Sequence, residues 1–221
     1  MIRLTGILVL AYGLLLQIVF AAEYNMDAFN LGLESFTEDS SIVAYCREFV
    51  ENAEDIDVIR EAQNKWNRID KDNALEYFAA LAEVNPESPK YLYLKGRIVP
   101  SKLEQVELGR KVISLDEDWS YGYRLLLAGY VTGLFDKRGN SVEKQTLAEE
   151  LEKDEHQFSK LIEIDGEEDY SLRFMRSYHF YKENYTAVID VLDKAAVLNA
   201  DWVNPYEYAR VYFEMGNYDK T

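Results

Sequence analysis

Apolar residues along this chain return three and four positions apart. Leu103, Val106, Val112 and Ile113 keep that spacing, as do Leu147, Leu151, Phe158 and Ile162. On a helix of about 3.6 residues per turn such positions gather into one stripe. No stretch alternates apolar and polar residues for long enough to predict a half-buried strand. The pattern therefore predicts an all-α protein. Ser101-Lys-Leu-Glu104, directly after Pro100, has the spacing of a capping box, and Asn140-Ser-Val-Glu143 repeats it. Beyond the turn expected at 135–140, Val142 to Ile164 keeps its periodicity and predicts one long helix.

The stripes themselves recur. Val112 to Val131 aligns with Ala195 to Glu214: each runs through apolar residues, an acidic turn, the pair Asp-Trp and a second, aromatic-rich helix. Leu161 to Phe180 and Ala80 to Ile98 carry the same turn. The equivalent turn residues are Asn85, Asp116, Asp165 and Asn199, at intervals of 31, 49 and 34 residues. Internal similarity at such a period is the mark of stacked helix pairs, each burying its apolar face on its neighbours.

On these residues the chain resembles the tetratricopeptide repeat family, whose unit is two antiparallel helices in about 34 residues. In 55–88 the matching positions are Val58, Ala62, Ala74, Phe78, Leu81, Val84 and Pro86. Tyr123, Leu126 and Tyr130 fit the first helix of another unit. In 169–202 the matches are Leu172, Met175 and His179, then Val188, Leu192, Ala195 and Leu198. Lys182 to Tyr185 and Met215 to Asp219 resemble the family's turn. The resemblance implies a right-handed superhelix of antiparallel helix pairs over 55–221, following an N-terminal helical segment at 22–54. Its units would fall at 55–88, 89–119, 120–168 with an insertion, 169–202 and an incomplete 203–221. A lone first helix in that last stretch would expose Tyr206, Ala209 and Phe213, so the chain reads as either a fragment or the N-terminal part of a longer protein. The departures are specific. Arg176 and Arg210 stand where the family prefers a small residue, and Gln105 and Gly109 replace its usual alanine and aromatic.

Residues 1–21 read as an export signal. Arg3 supplies the positive start, Leu4 to Phe20 the apolar stretch, and Val19-Phe20-Ala21 a small-residue cleavage rule, with the cut after Ala21. The alternative is an uncleaved anchor, the one route by which a membrane enters the picture. The expected location is periplasmic or extracellular.

Charge changes the picture next. With 24 basic against 40 acidic side chains the formal net charge is −16, which repels nucleic acid, because phosphate backbones are bound by clustered lysine and arginine. Cys46 is the only cysteine, so no internal disulfide forms, and its apolar surroundings predict a buried thiol. The two histidines, His156 and His179, lie in different repeats, and no metal-ligand spacing, phosphate loop or nucleophile motif is present. We expect no catalysis, cofactor or metal. The sequon Asn184-Tyr185-Thr186 matters only in a eukaryotic secretory path.

Binding of a protein or peptide is the expectation that remains. The family lines its groove with the first helix of each pair, and the resemblance carries those positions to Tyr121, Arg124, Ala128, Tyr170, Arg173, Ser177, Phe180, Tyr181, Asn204 and Glu207. Arg124 and Arg173 share one register, as do Tyr121 and Tyr170. Two aligned arginines among tyrosines would grip a carboxylate or an extended peptide, unless they pair with local acids such as Asp118 and Asp169. Alternatives are the accessory repeat region of a longer exported enzyme, for example one with a thioredoxin-like domain, and a glycan-binding surface module. The extra residues between Tyr130 and Phe158 would form either a solvated helix extension or a projecting finger.

Overall fold

The computed structural model describes residues 24–135, 141–166 and 169–217. The expected export signal at 1–21, the turn expected at 135–140 beyond Phe135 and the proposed cap Asn140 lie outside them. Twelve helices and no strand occur among the described residues, and none of these helices is long and apolar enough to cross a membrane. In chain order they are α1 (Met26–Leu33), α2 (Asp39–Asn52), α3 (Ile56–Ile69), α4 (Lys71–Val84), α5 (Pro89–Ile98) and α6 (Lys102–Leu115). Then follow α7 (Ser120–Phe135), α8 (Ser141–Asp154), α9 (His156–Asp165), α10 (Asp169–Tyr181), α11 (Tyr185–Val197) and α12 (Pro205–Glu214). The chain divides into two compact units, Met1–Val84 and Asn85–Thr221.

In the first unit α2 packs on α3, and α1 and α4 complete the layer. Its core is aromatic: Phe29 meets Phe49 edge-on at 5.0 Å, and Tyr45 stacks on Phe29 at 5.8 Å. Trp66 is buried and donates from Nε1 to Asn73 Oδ1 at 3.1 Å, so its polar edge is satisfied. Cys46 is a free, fully buried thiol. Burial pushes its pKa up to about 11, with Lys65 working weakly the other way, so it behaves as a small hydrophobe and not as a nucleophile.

In the second unit α7 is the hub, packing on α5, α6, α8, α9 and α10. Short connections between packed neighbours make the consecutive pairs antiparallel hairpins. The tightest is α6 with α7, and Gly109 explains it: a Cβ there would sit 2.7 Å from the Leu126 backbone. Gln105, one turn earlier, is buried and donates from Nε2 to the Leu125 carbonyl at 3.3 Å. Both departures from the repeat pattern are thus the means by which two helices approach closely. Val106, Tyr123, Leu126, Leu127, Tyr130, Leu147, Leu151, Phe158, Leu161, Phe174 and Tyr178 form one core cluster around α7.

The turn residues found by aligning the sequence all sit at helix ends. Asn85 follows α4, Asp116 caps α6, Asp165 closes α9 before left-handed Gly166, and Asn199 beyond α11 is itself left-handed at φ 55°. The residue just before the turn is not uniformly core, however. Val84 is 77% exposed and Leu198 51% exposed, because each occupies the end of its helix, past the last neighbour it could bury against. On α12, Val211 is buried, while Tyr206 (72%) and Phe213 (58%) stand open.

The segment after α7 departs most from expectation. It is neither one long helix nor a solvated extension or finger. The helix breaks at Glu155, whose carboxylate accepts from the Tyr178 hydroxyl and lies 3.6 Å from Lys182 Nζ. The break lets α8 follow α6 and α7 while α9 follows α7 and α10, a path no straight rod could take. Two polar anchors hold α8 down. Glu143 Oε1 accepts from the Lys102 and Leu103 amides at 2.8 and 3.0 Å and from Ser101 Oγ at 3.0 Å. It thereby caps the first two amides of α6, whereas the Glu104 carboxylate of the expected box pairs with Lys95 at 3.1 Å, and Ser101 Oγ keeps its own half by accepting from the Glu104 amide at 3.2 Å. At the other end Arg110 of α6 donates to Asp154 and Glu150, both at 2.7 Å, and the Tyr130 hydroxyl donates to Asp154 at 2.6 Å.

Candidate functional site

Helices α5, α7, α10 and α12 of the second unit are neighbours. α7 packs on both α5 and α10, and Arg176 of α10 reaches Glu207 of α12 at 2.9 Å. Five arginines stand on these four helices, and each lies over an aromatic ring. Arg97 covers Tyr93 at 5.9 Å, and Arg124 is held between Tyr121 and Tyr170 at 5.0 and 5.2 Å. Arg173 and Arg176 share the Trp202 ring at 5.6 and 5.3 Å, and Arg210 covers Phe180 at 4.3 Å. Such contacts orient a guanidinium while leaving its N–H edge directed outward.

The repeated Asp-Trp motif builds part of this row. Trp119 and Trp202 each follow a turn and pack back on the preceding first helix. Trp119 meets Tyr93 at 5.4 Å, and Trp202 lies beneath Arg173 and Arg176, its Nε1 donating to Asp169.

The arginines differ in how far they are already committed. Arg124 donates to Asp165 Oδ2 from Nε at 2.7 Å and Nη2 at 2.6 Å, and the pair is largely sequestered, with side chains 13% and 7% exposed. Arg173 bridges Asp169 at 3.1 Å and Asp201 at 2.6 Å. Arg176 gives Nη1 to Glu207. Arg210 is exposed and makes no ion pair with any described residue.

Two depressions interrupt the row. One, of about 200 Å³, lies between α5, α6, α7 and α10, with Arg97, Arg124, Ala128 and Tyr170 on its walls. The larger, of about 420 Å³, lies between α7, α10 and α12, and Thr132, Arg176, Ser177, Phe180, Glu207 and Arg210 line it.

The residues carried over from the repeat pattern fall at several places. Tyr121, Arg124, Ala128 and Tyr170 gather at the first depression or its rim. Ser177, Phe180 and Glu207 line the second. Arg173 sits between them, spent on two carboxylates. Tyr181 faces the core cluster beside Tyr130, Leu151 and Phe158. Asn204 is the cap of α12, accepting the Tyr206 and Glu207 amides at 2.9 and 3.3 Å. Arg97, Arg176, Arg210 and Trp202 were not singled out as binding groups. A signal for two of them existed, since Arg176 and Arg210 replace the small residue of the repeat pattern. A charged side chain at a crowded slot has to open outward into a cleft.

The histidines lie elsewhere. His179 is half-buried against Tyr178 at 5.2 Å, and burial lowers its pKa with Asp190 partly offsetting the effect. His156 pairs through Nε2 with Gln157 at 2.9 Å. No three histidine, cysteine or acidic side chains among the described residues converge to hold a metal. Neither a protein-family model nor a curated protein matches this chain.

Proposed function

We propose that this chain is an exported, tetratricopeptide-like interaction scaffold whose α5–α7–α10–α12 face takes an extended segment of a partner protein. The observation that carries the reading is the row of five arginines, each seated on an aromatic ring, in a chain whose net charge is −16. Arginine and aromatic side chains are the residues on which binding energy concentrates at interfaces. Burial of the Arg124–Asp165 pair serves the fold, but exposed ion pairs such as those of Arg173 contribute little to folding, so the rest of the row, set against the overall charge, needs another explanation. Export rests on the apolar N-terminal segment and its small-residue cleavage rule, and N-terminal sequencing of the secreted protein should begin at Ala22.

The face is tested by placing a photo-crosslinking phenylalanine analogue at Tyr170 or Arg97, and at Val142 and Glu152 on α8 as controls. Partner adducts should form from the first pair and not from the second. Equal labelling from α8, or no adduct from the face in cells that make the partner, would remove the reading.

A further inference from the structure

The cleft between α7, α10 and α12 carries positive charge that the acids of its own wall do not balance. Two guanidiniums, Arg176 and Arg210, face a single carboxylate, Glu207, and that carboxylate already holds Arg176 Nη1 at 2.9 Å. Arg210 places its Cζ over the Phe180 ring at 4.3 Å, and with no ion pair to a described residue its N–H groups are left to an incoming acceptor. The other polar groups in the wall are acceptors. Ser177 Oγ donates to the Arg173 carbonyl at 3.0 Å and Thr132 Oγ1 to the Ala128 carbonyl at 2.6 Å. Their protons are spent within their own helices, and their oxygen lone pairs remain.

A cleft that offers charged donors at Arg176 and Arg210 and hydroxyl acceptors at Ser177 and Thr132 complements a ligand with a carboxylate and an amide N–H close together. At about 420 Å³ it lies within the roughly 300–1,000 Å³ typical of pockets that hold small ligands. We infer that this cleft is the seat for an internal aspartate or glutamate of the extended partner segment, its carboxylate on Arg210 and Arg176 and its neighbouring backbone amides on the two hydroxyls. The inference rests on the face-binding reading above and adds to it the chemistry of the occupant. An oxyanion without a proton would use the arginines and leave the hydroxyls without a donor, and phosphate could offer them only its P–OH groups. A chain terminus is not required, because the acceptors are matched to amides on the segment itself.

The probe is an acetylated and amidated peptide of alternating leucine and glutamate, added to the purified protein while the arginine Nε–Hε resonances are followed by NMR. Its glutamine counterpart and inorganic phosphate are the comparison ligands. The Arg176 and Arg210 signals should shift with the glutamate peptide and not with the glutamine one. Arg210→Ala should weaken binding about tenfold, the ordinary loss for one charge-assisted hydrogen bond. Because Arg210 is exposed, the variant's thermal unfolding should match the parent, which separates lost recognition from lost folding.

Equal binding of both peptides, or binding unaffected by Arg210→Ala, would overturn the acidic seat while leaving the face as a docking surface. Phosphate bound as tightly as the glutamate peptide would overturn it in favour of a bare anion site. No binding of either peptide overturns it as well. Crosslinks from Tyr170 to a partner would then keep the broader reading alive, and their absence would end both.

Discussion

Gly109 and Asp165 show how much single residues decide here. At Gly109 the Leu126 backbone stands 2.7 Å from where a Cβ would be, and backbone cannot rotate away as a side-chain tip can. Gly109→Ala should therefore cost about 1–3 kcal/mol, the range for overpacking, read as a lower denaturant midpoint. Asp165 holds two nitrogens of a nearly buried Arg124 and also accepts from Ser171 Oγ at 3.2 Å. Asp165→Ala strands that guanidinium between Tyr121 and Tyr170, so a loss of about 3–5 kcal/mol is expected in equilibrium unfolding. The repeat register alone assigns Arg124 to the expected groove. That it already carries a carboxylate was not, because Asp165 lies 41 positions away and its approach depends on how α9 returns against α7.

The α8–α9 insertion is the element whose fate the pattern of apolar residues left open. Leu147 is fully buried in the α7 cluster, whereas Val142 on the same helix is exposed. Leu147→Ala should cost about 2–5 kcal/mol, and Val142→Ala should stay within about 0.5 kcal/mol. Equal effects in chemical denaturation would contradict a docked α8. Its anchor is also sensitive to acid. Hydrogen bonds from the Leu103 amide, then from Ser101 and the Lys102 amide, hold the Glu143 carboxyl below the ordinary glutamate range. A depressed folded-state value means that the contribution is complete above that range and is lost as pH falls through the lower value. Glu143→Gln should flatten that acid limb, measured as helix content against pH. The break at Glu155 left a faint trace in the sequence at most, since both halves carry helix-forming residues and the bend is imposed by what each half packs on.

Across the whole molecule the tyrosines report on folding. Burial first, and then hydrogen bonds to Glu51 and Asp193, push Tyr77 and Tyr208 up to about 12. Burial and the carboxylates of Asp154 and Glu155 likewise raise Tyr130 and Tyr178. These raised values favour the protonated phenol in the fold, so the contribution is intact below the ordinary tyrosine value near 10 and is lost as pH rises through the folded values. A late step in phenolate absorbance, belonging to these four rings, should lag that value and climb together with the loss of helical signal. A smooth titration centred near 10 with helix retained would mean that these rings are open to water.

By itself the chain determined its helical character and the four aligned turns at which helices stop, because periodicity and turn residues act over a few positions. Asn85, Asp116, Asp165 and Asn199 fell at helix ends for that reason. The same short range explains why Arg176 and Arg210 stood out as misfits in a repeated pattern. Only the tertiary structure decided which arginines are spent and which are open, that Glu143 caps a helix about 40 positions earlier, and that the insertion lies down instead of projecting. Those outcomes depend on pairings between distant segments, whose energies come from mutual burial and charge. Neither exists until the helices have met.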